Sequence, residues 1–233
     1  MTRLLVAAVA VAILSGAAFA SPSFLGITGN ILTPSDEVLM AGDFSAGMFM
    51  VQSDNTPFVI GANVGVNNQL EVGFGHYDPD VAGVGSNTFF SFKYSVIEET
   101  EAIPSLVIGA IDVTGELDPN DDPGFYAVLG KNITPFASNL MGKPISPIHA
   151  MVGIGGGIYN GFFGGLDWEL NEQISLSAEY VNSLSLMNMF DKKSMMNFGV
   201  RLAFSESLTA SGAIIDGNDF AFGLSFVRAG IDL

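Results

Sequence analysis

From Phe162 to Leu170, and again from Ile174 to Tyr180, the residues at every second position are apolar or glycine, and polar residues stand between many of them. A period of two places neighbouring side chains on opposite faces of a β-strand, so this stretch predicts two strands joined by a tight turn at Asn171 and Glu172. Two classes of protein contain such strands. In a soluble β-sandwich the apolar face is the core, whereas in a membrane barrel the apolar face meets lipid and the polar face lines a lumen.

Alternation and turn signals predict about twelve short strands between residues 43 and 228. Tight turns follow the second, eighth and tenth predicted strands, at Asn67-Asn68, Asn171-Glu172 and Ser205-Glu206. Longer connections at the other end of the meander are predicted over 78–87, 114–123 and 182–194. Short turns at one end and longer loops at the other are typical of outer-membrane barrels. Two connections on the short-turn end, 98–104 and 132–148, are nevertheless not short.

The fold class that these patterns favour is all-β: one up-and-down antiparallel transmembrane β-barrel of about twelve strands. The predicted lumen-facing charges are Glu71, Lys93, Asp167, Glu169, Glu179 and Arg201. The predicted lipid-facing residues are Phe92, Leu166, Trp168, Leu176 and Phe222. The alternative is a soluble or surface-associated β-sandwich that binds glycan or protein, in which the second set would form the core between two sheets.

The first twenty residues have the pattern of a removable signal peptide. Arg3 provides a short basic start, Leu4 to Leu14 is an unbroken apolar run, and Ala18 and Ala20 flank a position in the way that signal peptidase prefers. The run is too short to span a bilayer as a helix. We therefore expect export, with residues 1–20 removed, to a bacterial outer membrane.

The segment that follows, residues 21–41, carries Pro34, which a central strand would exclude. It is predicted to be an N-terminal leader that acts as a plug or lies in the periplasm, tucked into or across the mouth of the barrel; the alternative is a disordered leader. Residues 42–233 are predicted to form the barrel itself.

Charge and cysteine content exclude several partners. The chain has 24 acidic and 8 basic residues, a net charge of −16, which argues against nucleic acid and against electrostatic docking on anionic lipid headgroups. It has no Cys, so an exported domain would be held by hydrogen bonds and packing alone. The expected partners are outer-membrane lipid and, beyond it, exopolysaccharide or small solutes.

No pattern in the chain predicts catalysis, a cofactor or a metal centre. His149 and Ser146 are close in sequence, and a barrel enzyme acting on lipids would need a Ser–His pair at the lipid boundary, so this class stays open as a further alternative. A weak calcium candidate is the acidic run that contains Asp118, Asp121 and Asp122. It lacks the spacing of an EF-hand loop, and a solvated loop is favoured.

Three stretches resemble the YjbH-like family of bacterial outer-membrane β-barrel proteins. The first is ITGNILTPSDEVLMAGDFSAGMFM (27–50), in which the matching positions are Gly29, Ile31, Leu32, Pro34, Val38, Leu39 and Gly42. The others are PGFYAVLGKNI (123–133), and IHAMVGIGGG (148–157) followed by FFGGLDWELNEQISLSAEYV (162–181). The resemblance implies an outer-membrane barrel with a link to exopolysaccharide export. The chain departs from the family at Asn132, where a basic residue is usual, and it lacks the extra domains of larger members.

The function expected from these observations is a structural role or a narrow passage for small solutes or glycan. Acids outnumber bases on the predicted lumen face, so a passage would carry a negative potential and favour cations or neutral sugars over anions. In the alternative, the charges satisfy one another and close the lumen.

Overall fold

Twelve antiparallel strands close into a barrel in the computed structural model, which describes residues 21–52, 55–117, 122–186 and 190–230. The strands are β1 (Phe44–Gln52), β2 (Phe58–Asn67), β3 (Leu70–Asp78), β4 (Asn87–Ile97), β5 (Ser105–Ile111), β6 (Gly124–Asn132), β7 (Ile148–Gly156), β8 (Gly161–Asn171), β9 (Ile174–Leu186), β10 (Phe190–Ala203), β11 (Leu208–Ile215) and β12 (Asp219–Arg228). Each strand pairs with its sequence neighbours, and β1 pairs with β12 to close the ring. The predicted fold class is confirmed.

The three tight hairpins share one local device. Asn67 Oδ1 accepts the backbone N–H groups of Gln69 and Leu70, at 2.8 and 2.9 Å. Asn171 Oδ1 accepts from the corresponding two residues of the β8–β9 turn, and Ser205 Oγ does so in the β10–β11 turn. These side chains replace main-chain acceptors in the turn, which is why Asn and Ser recur there. We call the end of the barrel that carries these turns the short-turn mouth.

The β9–β10 hairpin extends further than the sequence suggested. The expected loop over 182–194 is wrong, because β9 continues to Leu186 and β10 begins at Phe190. Leu184 and Leu186 are buried although their parity is opposite to that of the inward-facing Val181. The hairpin folds over the mouth opposite the short turns, where Leu184 bridges Tyr159. A change of face within one strand breaks the period of two on which the prediction rested.

An apolar belt covers the outside of the barrel. Phe92, Leu166, Trp168, Leu176 and Phe222 all lie on this face, between 37% and 49% exposed. Many further Phe, Leu, Ile, Val and Met side chains on the strands are exposed in the same way. An exposed apolar surface of this extent is far larger than soluble monomers show, and it fits a hydrocarbon surrounding.

The interior has two layers. Towards the short-turn mouth it contains polar and charged side chains, which include Glu71, Lys93, Asn197, Glu179 and Arg201. Towards the opposite mouth the same faces of the strands carry large apolar side chains, among them Phe49, Tyr77, Phe89, Tyr126, Phe163 and Met195. The interior is therefore polar over one half and packed like a soluble core over the other.

One short helix, α1 (Thr134–Met141), lies in the β6–β7 connection at the short-turn mouth. Pro135 stands in its first turn, where a missing N–H costs nothing, and Gly142 ends it in the left-handed conformation at φ 67°. Within the described residues, no helix is long and apolar enough to cross a membrane.

The segment before β1 runs inside the barrel. Every residue from Ser21 to Asp36 is buried, and Leu39 is buried as well. We call residues 21–41 the plug. Its far end packs among the apolar layer, and residues 36–41 return to the short-turn mouth, where Asp43 leads into β1.

Candidate functional site: the plugged lumen

The plug folds into a series of tight turns. The backbone N–H of Phe24 donates to the carbonyl of Ile31 at 2.8 Å, and that of Asn30 donates to Thr33 at 2.9 Å. Isolated bridges join Pro22 to Thr28 and Gly29 to Pro34. Phe24 packs edge-on against Phe49 of β1, with ring centroids 5.4 Å apart. These turns satisfy only part of the plug's main chain, and the barrel wall must supply partners for the rest.

The carboxyl group of Glu179 of β9 accepts hydrogen bonds from the plug backbone. Its Oε2 accepts N–H groups from three consecutive residues, Ile31 at 3.2 Å, Leu32 at 3.0 Å and Thr33 at 2.9 Å. The Thr33 hydroxyl adds a bond of 2.7 Å, and Asn197 of β10 donates to Oε1 at 2.8 Å. These five donor groups satisfy both oxygens of the buried carboxyl group.

Arg201 of β10 binds the adjacent turn of the plug. Its Nη2 donates to the carbonyls of Gly29 and Asn30, at 2.7 Å each. Its Nη1 lies 3.4 Å from Asp167 Oδ1 on β8, and Ser177 of β9 also donates to Asp167. Glu179 and Arg201 thus hold consecutive donors and acceptors of one plug segment.

A second pair holds the plug from the β3–β4 side. Lys93 Nζ donates to the Thr28 carbonyl at 2.7 Å, to the Thr28 hydroxyl at 2.6 Å and to the Glu37 carbonyl at 2.8 Å. The Thr28 hydroxyl in turn donates to Glu71 at 2.7 Å, and the Leu39 N–H donates to the other oxygen of Glu71 at 3.0 Å. Thr28 therefore bridges a buried base and a buried acid.

The two pairs stand on opposite sides of the barrel. Glu71 and Lys93 lie opposite each other on β3 and β4, and Glu179 and Arg201 lie on β9 and β10. In a closed ring of twelve strands, β3 and β9 are six steps apart in either direction. The plug is consequently fixed across the whole width of the lumen rather than along one wall.

Two further contacts hold the ends of the plug. Tyr159, in the β7–β8 connection, donates its hydroxyl to the Leu32 carbonyl at 2.8 Å, and burial raises the pKa of that hydroxyl well above its usual value. At the short-turn mouth, Asp36 pairs with His149 at 2.8 Å and accepts the Ser105 hydroxyl. Burial alone would raise the pKa of Asp36, but the hydrogen bond and charge of His149 and the bond from Ser105 outweigh it and lower that pKa.

The wall of β2 is shaped to receive the plug backbone. A Cβ at Gly61 would overlap the backbone of Gly26, and a Cβ at Gly65 would overlap the carbonyl of Met40. Glycine is required at both positions by this close approach of two main chains.

A cavity of about 490 Å³ remains at the short-turn mouth. Its lining comes partly from the plug, at Asp36 to Val38 and Met40, and partly from the ends of strands and their connections, at Asn68, Ser95, Glu98, Glu99, Ser105, Asn132, Pro147, Ile148 and His149. It ends at the plug, because Asp36 and Leu39 are buried against the wall behind it.

The residues predicted to face the lumen differ in whether they contact the plug. Glu71, Lys93, Glu179 and Arg201 contact the plug directly, and Asp167 contacts it through Arg201. Glu169 is half-buried near the mouth, and its Oε1 is buried without a hydrogen-bond partner.

Three important plug-binding groups were missed from the sequence: Thr28, Asp36 and Tyr159. Each is remote in sequence from its partner, by 65 residues for Thr28 and Lys93, so no local spacing signals the contact. The resemblance over 27–50 marked the right segment without giving these roles.

The acidic run lies mostly outside the described residues, and Ser146 and His149 have different partners. Asp122 is exposed, and Asp118 and Asp121 lie outside the described residues. Within the described part of the chain, no group of three or more His, Cys, Asp or Glu could hold a metal ion. Ser146 donates to the Leu170 carbonyl at 3.3 Å, while His149 turns into the barrel towards Asp36 and away from the lipid-facing side.

Comparison with known proteins gives the fold. No family model matches the chain, and no curated protein matches it. The solved structure of the KdgM porin is similar with a TM-score of 0.53 and 9% identity, over 80% of this chain and 99% of that chain. The KdgM porin in complex with disordered oligogalacturonate gives the same values. The outer membrane protein Omp33 of Acinetobacter baumannii is more distant, with a TM-score of 0.45 and 8% identity over 81% of this chain and 98% of its own.

The closed ring, the apolar belt and the KdgM likeness together define the class: this chain has the fold of the outer-membrane β-barrels. In this barrel the segment that precedes the first strand lies inside the lumen.

Proposed function

We propose that this protein is a bacterial outer-membrane barrel with a structural role, held closed by its own N-terminal plug. The observation that carries the proposal is the burial of the whole Ser21–Asp36 segment between two opposed pairs of charged side chains. With the plug seated, the polar half of the lumen is occupied and the other half is filled by apolar side chains. A lumen occupied by buried main chain and apolar side chains suits a membrane-anchored scaffold rather than an open pore.

Export and family membership belong to the same proposal. The pattern of residues 1–20 supports cleavage of a signal peptide, and these residues lie outside the described part of the chain. The resemblance over 27–50 supports a relationship to the YjbH-like family, since that stretch contains most of the plug and the start of β1. A contribution to exopolysaccharide export is the biological setting that this relationship suggests.

Planar-bilayer conductance tests the closed state. The mature chain should give no steady current at any salt concentration. Deletion of residues 21–41 should produce current steps, provided that heat-modifiable migration on a gel shows a folded barrel. Steady current through the unaltered chain would overturn the proposal.

A point variant covers the case in which the deletion does not fold. Gly61→Ala forces a methyl group against the Gly26 backbone and should produce intermittent current by loosening the plug. Gly212→Ala on β11 is the matched control, because the nearest atoms to its added methyl lie at 3.8 and 4.0 Å. The control should stay silent.

The second candidate function is a narrow passage for small solutes or glycan that opens when the plug moves. The observation in its favour is that the groups holding the plug are hydrophilic and would line the vacated space. On the lumen face as a whole, Glu71, Asp167, Glu169 and Glu179 outnumber Lys93 and Arg201. The KdgM porin has been solved with oligogalacturonate, which is a polyanion by its chemistry. The acidic lining here favours cations or neutral sugars instead.

Ion selectivity distinguishes this second function from leakage through a damaged barrel. Any current through Gly61→Ala should prefer cations, and the preference should fall when Glu71 and Glu179 are both changed to Gln. Current without selectivity would indicate an unspecific defect in the wall.

A further inference from the structure

Helix α1 turns its apolar side away from the protein. Phe136 is 70% exposed and Leu140, four residues later, is 78% exposed on the same side. None of the residues of the helix is buried. An amphipathic helix in water shows the opposite arrangement, with its apolar stripe against the protein.

The polar side of α1 is the side that faces the barrel. The Thr134 hydroxyl accepts the N–H of Ile148 at 2.8 Å, which ties the start of the helix to β7. The Ser138 hydroxyl accepts the N–H of Ile145 at 3.3 Å, and Ser138 lies four residues after Thr134 on the same side. Specific hydrogen bonds therefore fix the orientation that exposes Phe136 and Leu140.

The exposed side continues the apolar belt of the barrel. Leu129 of β6 is exposed on the outer face just before the helix, and Val152 of β7 is exposed just after it. The neighbouring β4–β5 connection exposes Ile103. This connection is tied to β6 by an ion pair of 3.2 Å between Glu99 and Lys131. The β4–β5 and β6–β7 connections, which are longer than the other turns at this mouth, thus form one apolar rim at the edge of the belt.

We propose that α1 is an interfacial anchor: its Phe136 and Leu140 side chains insert into the phospholipid acyl-chain boundary of the leaflet at the short-turn mouth. The proposal rests on the membrane location given above. Apolar burial supplies the attachment, because the chain carries a net charge of −16 and gains nothing from anionic headgroups. The length of this connection follows from the need to reach sideways onto the bilayer.

Single-tryptophan fluorescence tests the anchor in reconstituted vesicles. The chain contains one Trp, Trp168, on the outer face of β8, so the wild-type protein reports on the belt itself. In a Trp168→Phe background, Phe136→Trp should lose more than half of its emission in brominated phosphatidylcholine and stay nearly unchanged in iodide. Glu172→Trp, in the exposed β8–β9 turn at the same mouth, is the matched control and should show the reverse.

The outcomes separate the two proposals. If Trp168 is quenched by brominated lipid while Phe136→Trp is quenched by iodide at every protein-to-lipid ratio, the belt is in lipid and the anchor is wrong. If Phe136→Trp is shielded from iodide only at high protein density, a second copy covers the helix and the anchor is again wrong. If Trp168 itself is open to iodide, the membrane location fails first. Leu140→Trp replaces Phe136→Trp should the latter not fold.

Discussion

At the residue scale, the buried charges bind main-chain atoms of the plug more than they bind each other. Glu179 is surrounded by donors, and Arg201 by acceptors, although the two residues lie on adjacent strands. A buried charged group satisfied by several hydrogen bonds is tolerated. Removing it leaves each of its partners buried without a hydrogen bond. These side chains therefore matter most for keeping the plug in place.

Glu179→Ala should lower the free energy of unfolding by about 2–4 kcal/mol, since it leaves the N–H groups of Ile31, Leu32 and Thr33 without an acceptor. Glu169→Ala on β8 is the control and should change it by about 1 kcal/mol or less, because Glu169 is half-buried and its Oε1 has no partner. The guanidinium midpoint in phospholipid vesicles measures both. Equal losses would show that the bonds to the plug carry no special weight.

Glu37, at the short-turn mouth, makes the stability of the fold depend on pH. Burial, followed by the negative charge of Asp36, raises the pKa of Glu37 to about 8; Asp167 adds to this, whereas His149 and Lys93 oppose it. The folded state thus keeps a proton that the unfolded chain releases near its ordinary value of 4.5. The resulting stabilisation is full below pH 4.5 and is lost as the pH rises towards 8.

Glu37→Gln cannot titrate, so the variant should lose less stability than the wild type between about pH 5 and about pH 8.5. Guanidinium midpoints at both pH values give the comparison, and the difference between the proteins isolates Glu37 from the histidines. Parallel declines would mean that Glu37 titrates normally. Asp36 adds no slope here, because its lowered pKa keeps it charged throughout this range.

At the element scale, the plug behaves as an extra piece of the barrel core. Its apolar side chains belong to the same buried cluster as those of the strands, and its main chain is bonded to β3, β4, β9 and β10. Segments with such dense burial and bonding open only with the structure that surrounds them.

Amide hydrogen exchange should show this directly. The amides of residues 29–33 should exchange as slowly as those of the central strands and much more slowly than those of the exposed 98–104 connection. Fast exchange at residues 29–33 in a folded barrel would mean that the plug is only loosely seated.

Two threonine variants compare how much each pair of charged residues that holds the plug contributes to the free energy of unfolding. Thr28→Val removes a hydroxyl that bridges Lys93 and Glu71, and it should cost about 2–3 kcal/mol because both buried charges lose a bond. Thr33→Val removes one of several donors to Glu179 and should cost about 1 kcal/mol. Chemical denaturation of the pair tests the order. A larger loss for Thr33→Val would reverse our ranking of the two pairs.

At the scale of the whole molecule, apolar surface lies both outside and inside. The outer belt needs lipid, and one half of the interior is packed with aromatic and aliphatic side chains. Packing of the interior adds stability that an open, water-filled barrel lacks, because dispersion contacts replace water. This arrangement accounts for a barrel that holds its shape without disulfides.

Phe222→Arg should test the lipid contact of the belt. It places a charge on the outer face of β12 and should cost about 2–4 kcal/mol if Phe222 lies near the bilayer midplane. Asn218→Arg, in the exposed turn that leads into β12, should cost about 1 kcal/mol or less. Unfolding in vesicles measures the difference. If the two variants behave alike, the belt does not face hydrocarbon.

The sequence alone predicted the strand number, the positions of most strands and the two faces of those with clear alternation; the faces of the fifth, sixth and eleventh strands were ambiguous because both are apolar. The period of two and the Asn and Ser turns are local patterns, so they can be recognised in the sequence without knowing which strands pair. The prediction failed where β9 and β10 curl over a mouth, because the buried Leu184 and Leu186 pack against the β7–β8 connection rather than continuing the inward face of their strand.

Only the tertiary structure decided what occupies the lumen. The polar faces and the abundant glycine were visible in the sequence, and they fitted a water-filled passage as well as a filled one. The decisive bonds join residues far apart, such as Arg201 and the Gly29 carbonyl across 172 positions. Such contacts arise when ring closure brings four strands around one segment, and no local pattern records them. Of the charged side chains predicted to line the lumen, Glu71, Lys93, Glu179 and Arg201 are hydrogen-bonded to the plug in the folded protein.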